Sequence, residues 1–336
     1  MSDAGLACAG LAVCGAAHSA LDPAGDGAAQ IASIWWLILW TCTAVFALIA
    51  AATLWAVLRG RSRAWPGAVT PTPHPAPGGE RRIGFIIGGA VAVTILILIV
   101  FTVATFLTTH RLFAQNGDAE IGIQLVGHQW WWEVNYQDPV PANQIATANE
   151  IHIPVGATVK VSLASTDVIH SFWIPNLHGK MDLIPGQTNT IWLTARAPGT
   201  YRGQCAEFCG MQHAKMALMV VAESREEFDK WAAQQRALAP DPQNDQQKRG
   251  KEFFMSGPCV LCHSIAGTMA GARLGPDLTH VASRLTLGAG ALPNTRGHLA
   301  GWILDPQAAK PGNQMPPNQM SGDDLQALLA YLDTLR

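Results

Sequence analysis

Three patterns of hydrophobic and polar positions follow one another along the chain. From Ile31 to Leu58 there are 28 consecutive residues without a charge, and from Ile83 to Thr109 there are 27 more. A helix needs only about 20 apolar residues to cross the hydrocarbon core of a bilayer. Both runs therefore predict transmembrane helices, over 31–58 and 83–109, joined by a short loop, 59–82. Trp35, Trp36, Trp40 and Trp55 stand towards the ends of the first run, where interfacial aromatic belts form. Over 119–222 the pattern changes to alternation, as in Glu150-Ile151-His152-Ile153, broken by Pro185-Gly186 and Pro198-Gly199. That period of two, with turn residues between short runs, predicts an all-β sandwich or barrel. A charged, amphipathic stretch from Ser224 to Leu238 predicts a helix, and the polar, Pro-containing residues 239–247 read as a linker. Residues 248–336 form a third region, with little strand pattern and a terminal helix whose Leu325, Leu328, Leu329 and Leu332 share one face.

Charge orients the hairpin. Arg59, Arg61, Arg63, Arg81 and Arg82 all lie in 59–82, and no Lys or Arg precedes Arg59. The positive-inside rule makes that loop cytoplasmic and places the N-terminus and everything after Arg111 on the extracytoplasmic side of a bacterial plasma membrane. Only 14% of the residues are charged, and 22 basic side chains face 24 acidic ones. Nucleic acid is thereby excluded as a partner, and membrane lipid is included. Residues 1–30 form an N-terminal extracytoplasmic segment rich in Ala and Gly. Leu11-Ala12-Val13-Cys14 weakly resembles a lipoprotein cleavage site; the other reading is a plain tail.

Metal chemistry concentrates in two places. Cys205, Cys209, His213 and Met216 pack two thiols, an imidazole and a thioether into twelve residues. Such soft donors select copper over hard cations. A Cys205–Cys209 disulfide is the main alternative on an oxidising side, and zinc, which rarely recruits Met, is a second. Upstream lie Ser165-Thr166-Asp167-Val168-Ile169-His170 and Gly127-His128-Gln129-Trp130-Trp131-Trp132. Taken together, these segments resemble subunit II of haem-copper cytochrome c oxidases over residues 31–222. The resemblance implies a cupredoxin domain carrying the binuclear CuA centre. In it Cys205 and Cys209 would bridge two coppers, His170 and His213 would bind one each, and Met216 and the main-chain carbonyl of Glu207 would complete the shell. It further implies that the Glu207 side chain reaches a magnesium ion shared with subunit I, and that electrons enter CuA at Trp130. Three consecutive Trp on a strand cannot share one core face, so at least one is expected at a surface or interface. His128, His152 and His178 carry no ligand pattern.

Cys259-Val260-Leu261-Cys262-His263 matches the attachment signature of a covalent c-type haem, with both thiols on the haem and His263 on the iron. A redox dithiol needs no following His, and a zinc knuckle needs further ligands nearby. The second axial ligand should come from later in the chain, where Met269, Met315, Met320, His280 and His298 are candidates. Gln314-Met315-Pro316-Pro317 before the terminal helix resembles the Met loop of small class I cytochromes c. Met315 is therefore the choice, with Met320 next.

A membrane hairpin, an all-β cupredoxin domain and a small all-α cytochrome c domain together resemble subunit II of the caa-type oxidases. The function this implies is electron input to a terminal oxidase. An external cytochrome or cupredoxin would supply the c haem, CuA would follow, and haem a and CuB of subunit I would reduce oxygen, coupled to proton translocation and with subunit III alongside. The spans contain no His, so the oxygen chemistry belongs to another chain. The alternative is a membrane-anchored carrier feeding a nitrogen-oxide reductase. Residues 119–222 carry seven acids and five bases, and residues 246–336 eight bases and six acids, a weak complementarity between the tethered domains.

Overall fold

The computed structural model describes residues 18–61, 77–113 and 118–336. Cys14, the lipidation candidate, and most of the 59–82 loop lie outside them. Among the described residues, 30–61 and 77–113 belong to one compact unit, and 18–29 with 118–336 form the other.

The first unit holds most of helices α1 (Asp26–Arg61) and α2 (Pro77–Phe113). Their apolar segments, Asp26–Arg59 and Glu80–Leu112, have mean hydropathies of 2.2 and 2.9. Phe46, Leu48, Trp40 and Phe106 point outwards uncovered, a surface suited to lipid and not to water. Several hydroxyls are folded back onto the helix: Thr41 Oγ1 donates to Leu37 O at 2.8 Å and Thr102 Oγ1 to Leu98 O at 2.8 Å. A hydroxyl paired in this way is not left unsatisfied in hydrocarbon. Both helices outrun the predicted spans by several residues and take the ends of the 59–82 loop into helix.

The second unit begins with the end of the N-terminal extracytoplasmic segment, 1–30, expected from the sequence. Ala24 N and Gly25 N donate to Asn176 O, Ala28 N donates to Leu177 O, and Asp26 pairs with Arg196. Residues 24–28 are thus seated on the β domain before α1 departs. Beyond α2 come β1 (Ile121–His128), β2 (Trp131–Gln137), β3 (Ile145–Ala148), β4 (Glu150–Pro154), β5 (Val159–Ser165), β6 (His170–Phe172), β7 (Met181–Leu183), β8 (Asn189–Leu193), β9 (Gly199–Gln204) and β10 (Ala217–Glu223). One sheet has the order β3-β2-β1-β5-β8, a second β4-β10-β9, and β6 pairs with β7. β1 runs parallel to β5, and β10 parallel to β4. Alternate residues such as Ile123, Leu125, Trp132, Val134, Val161 and Leu163 fill the space between the sheets, as the period of two requires. This is the cupredoxin-like sandwich.

Helix α3 (Arg225–Gln235) starts in a Ser224/Glu227 capping box and covers the β domain with Phe228 and Trp231. The stretch read as a linker is shorter than expected, because Asn244 caps α4 (Asp245–Ser256) at Gln247 N and residues 245–247 are helical. The C-terminal domain continues with a short pair, β11 (Thr286–Leu287) and β12 (Leu292–Pro293), then α5 (Arg296–Leu304), α6 (Pro306–Ala309) and α7 (Gly322–Leu332). Phe254 of α4 meets Leu328, Leu329, Tyr331 and Leu332 of α7 in a separate core.

Candidate metal centres

The first centre lies between β6 and the loop joining β9 to β10. His170, Cys205 and Cys209 are all buried, with their donor atoms within 4.8 Å of one another. Cys205 Sγ lies 3.9 Å from His170 Nδ1, 3.7 Å from Cys209 Sγ and 3.2 Å from Glu207 O. Cys209 Sγ lies 3.7 Å from His213 Nδ1 and 3.8 Å from Met216 Sδ. The two thiols are free and unbonded to each other, against the disulfide alternative. Two sulfurs at the middle, with an imidazole outside each, a thioether at one end and a carbonyl at the other, form a donor set for two soft ions. Donors bound at about 2.0 to 2.3 Å from a shared ion fall at such separations. The residues present therefore fit a dicopper group.

Electrostatics favour a metal there. The Cys205 thiol is held far below its ordinary pKa, first by the hydrogen bond from Cys209 and then by His170, although burial opposes this. That same bond, with burial, pushes the Cys209 thiol up. The pair readily carries one negative charge but not two, so a bound cation must displace the second proton.

Asp167 orients the site, a role the sequence reading did not assign. Its carboxylate accepts from His170 Nε2 at 2.8 Å, Gln129 N at 2.6 Å and Val168 N at 2.6 Å. Burial would raise its pKa, but these bonds hold it below the usual value. His170 is thereby fixed with Nδ1 towards the sulfurs. Spacing offered the signal, since Asp167 stands three residues before His170 on the turn into β6. Gly127 leaves room for that imidazole: a Cβ there would meet His170 Cδ2 at 2.8 Å.

The three Trp separate as alternation demands. Trp132 is fully buried between the sheets, and Trp131 stacks on His128 with centroids 4.4 Å apart. Trp130 turns to the cysteine loop, where its Nε1 donates to Cys209 O at 2.8 Å; Gln129 Nε2 donates to the same oxygen at 2.8 Å. The Glu207 carboxylate lies 3.5 Å from Lys180 Nζ, both side chains about half exposed.

The second centre is a cavity of about 490 Å³ in the C-terminal domain, whose lining includes Cys259, Cys262, His263 and Met315. His263 Nδ1 donates to Pro276 O at 2.7 Å, which leaves Nε2 free as a ligand atom. Burial, with the Arg284 cation nearby, lowers the His263 pKa and keeps the ring neutral. Gly275 admits the imidazole, since a Cβ there would meet His263 Cε1 at 2.8 Å. Arg284 also lines the cavity, and its buried Nε has no partner, a donor awaiting an anionic substituent. Thiols, a neutral imidazole, a thioether and a buried cation around one apolar cavity fit a haem.

The remaining axial candidates sit elsewhere. Met320 packs on the helical core and Met269 is almost wholly exposed. His280 uses both nitrogens, on Arg336 O at 2.8 Å and Gln235 O at 3.1 Å, and His298 is paired with Thr295 on the surface. The cavity has a wall that sequence did not foresee: Gln129, Trp130, Trp131 and Asn149 of the β domain also line it.

Comparison with known proteins agrees with this geometry. Residues 121–223 match the family described as cytochrome C oxidase subunit II, periplasmic domain, and residues 247–336 match cytochrome c. The chain is 37% identical over 250 residues to cytochrome c oxidase subunit 2 of Alkalihalophilus pseudofirmus, covering 73% of this chain and 71% of that one. The chain belongs to the cytochrome c oxidase subunit II family. Subunit 2 of a Bacillus species is 32% identical over 263 residues, covering 73% and 72% of the two chains. Among solved structures, the periplasmic domain of subunit II from Bradyrhizobium japonicum is 30% identical with a TM-score of 0.34, covering 36% of this chain and 96% of that one. This subunit II thus carries a fused cytochrome c domain.

Proposed function

We propose that this chain is the electron-input subunit of a haem-copper terminal oxidase. It takes electrons from an external cytochrome or cupredoxin and delivers them to the haem a and CuB of subunit I, in an assembly that includes subunit III and translocates protons. Cys259 and Cys262 would hold the haem covalently, with His263 and Met315 on the iron. Cys205, Cys209, His170, His213, Met216 and the Glu207 carbonyl would hold the coppers. Once bound, haem and copper pair supply two one-electron carriers in sequence.

The observation that carries this reading is the position of Trp130. Its indole is bonded to the backbone of one copper-binding residue while the residue lines the haem cavity. It is only 9% exposed, so an outside donor has little access to it, and electrons are expected to arrive by way of the haem. The Glu207 side chain, half exposed beside Lys180, is available to a magnesium ion at the boundary with subunit I.

Residues 24–28 bond the β domain where α1 begins, which supports a reading in which both ends of the helical hairpin lie on the side that carries that domain. With the arginines at 59–82 inside, that side is extracytoplasmic.

The test is purification from membranes. A partner containing haem a, oxygen uptake with a reduced cytochrome, a mixed-valence dicopper EPR signal and a low-spin c haem are expected. Cys209→Ser should abolish the dicopper signal and spare the haem; an isolated monomer with neither partner nor oxygen uptake would count against the proposal.

A further inference from the structure

Where the two domains meet, the loop that carries Met315 is tied to the copper-binding loop by side chains reaching for backbone carbonyls. Gln212 Nε2 donates to Pro311 O at 2.7 Å, and Lys215 Nζ to Ala309 O at 2.6 Å. Between those two carbonyls stands Lys310, pointing the other way. Its side chain is almost fully buried, at 2% exposure. Nζ donates to Trp130 O at 2.6 Å and to Gly288 O at 2.9 Å, one acceptor from each domain. Lysine is among the residues least often fully buried without a partner, and one of the two partners of this one belongs to the other domain.

The backbone continues the connection to the haem side. Lys310 O accepts from Asn313 Nδ2 at 2.7 Å, and Asn313 Oδ1 accepts from Met315 N at 2.9 Å. Hydrogen bonds and short runs of chain thus join Met315, Asn313, Lys310, Trp130 and Cys209 in that order. Two further bonds from backbone N–H groups flank the seam: Ala217 N donates to the Ala289 carbonyl at 2.9 Å, and Leu285 N to the Glu150 carboxylate at 2.9 Å.

We propose that Lys310 is a positioning residue for electron transfer within the chain: by bonding the carbonyls of Trp130 and Gly288 it holds the Met315 loop, and with it the cytochrome domain, against the Trp130 turn. This rests on the function proposed for the two centres. The transfer it serves moves one electron from the reduced haem to the oxidised copper pair and makes or breaks no bond. Burial pushes the Lys310 ammonium down to about 7, against an opposing electrostatic pull from Cys209. The bridge survives either protonation state, because an ammonium has three hydrogens to donate and an amine two, and two carbonyls need them. Without the donors, two buried carbonyls would be left unpaired at the seam, a penalty that docking would have to bear.

The experiment uses the complete oxidase with Lys310→Met, which keeps the stem and removes the donors, Lys310→Gln as a shorter polar variant, and Lys310→Arg, which restores donors. Two quantities are read: hydrogen exchange at the Ala217 and Leu285 amides, and the rate of haem-to-copper transfer after rapid photoreduction of the haem. Lys310→Met should raise exchange at both amides and slow the transfer by about tenfold or more. Haem and copper spectra and both reduction potentials should stay as in the parent, and Lys310→Arg should recover most of the loss. Unchanged exchange and an unchanged rate in both Met and Gln variants would overturn the proposal. Should Lys310→Met fail to fold, Lys310→Gln decides by the same two readings. Absence of haem-to-copper transfer in the parent would instead sink the functional reading, while the exchange comparison would still judge Lys310.

Discussion

The indole Nε1 of Trp130 donates a 2.8 Å hydrogen bond to the carbonyl oxygen of Cys209, so an aromatic ring at the wall of one cofactor cavity is tied to the backbone of the other cofactor's binding loop. Trp130→Phe keeps an aromatic ring but removes the N–H and part of a buried side chain. It should cost about 1 kcal/mol of stability for the hydrogen bond and more for the lost packing, leave both metal spectra in place and slow haem-to-copper transfer severalfold. Time-resolved absorbance after haem photoreduction provides the measurement, and an unaltered rate would show that the ring is structural only.

Asp167 offers a second handle, acting through His170. Asp167→Asn keeps size and removes the charge that fixes the imidazole. Loss of such an outer partner commonly weakens metal binding by about 10- to 100-fold. Chelator competition on the purified subunit should register that drop in copper affinity with haem content unaffected; equal retention of copper by the variant and its parent would remove Asp167 from this role.

Met315 and Met320 can be told apart by potential. A thioether on the iron raises the reduction potential of a c-type haem. Met315→Ala is therefore expected to lower that potential and alter the haem spectrum. Met320→Ala, changing a side chain packed on the helical core, should instead reduce stability with the potential preserved. The reverse outcome would exchange the two assignments.

A pH effect is expected at the seam from His152, whose nitrogens lie 3.0 Å from Glu150 and 2.9 Å from Glu223. Burial lowers its pKa, but the hydrogen bonds to both carboxylates outweigh burial and raise it above 6.5. Tyr136 bonds its backbone, Trp231 stacks on its ring, and Arg284 of the cytochrome domain lies within electrostatic reach of Glu150. Because the folded pKa is the higher one, the stabilisation is complete below pH 6.5 and is lost as pH rises through the raised value. Thermal unfolding followed across that interval should show the decline, and His152→Gln should flatten it. A slope of the opposite sign would mean that burial, not the carboxylates, controls the histidine.

Local pattern determined much of this protein. Uncharged runs longer than a bilayer needs specify helices whatever surrounds them, and alternation specifies the faces of β1, β2, β5 and β8. Soft donors at Cys205, Cys209, His213 and Met216, or Cys259-x-x-Cys262-His263, announce their chemistry because ligand spacing survives in one dimension. Tertiary structure decided what depends on residues remote in sequence. Asp167 neighbours His170 in sequence, but its carboxylate is also held by Gln129 N, 38 residues away, a contact made only when the end of β1 and the turn before β6 come together. Residues 24–28 found their place through backbone bonds to Asn176 and Leu177, for which a chain of Ala and Gly gives no sign. Lys310, an unremarked charge on a short loop, acquired its role because its two acceptors lie 180 and 22 residues away. A hydrogen bond records proximity, and proximity across two domains is fixed by packing, which no local periodicity encodes.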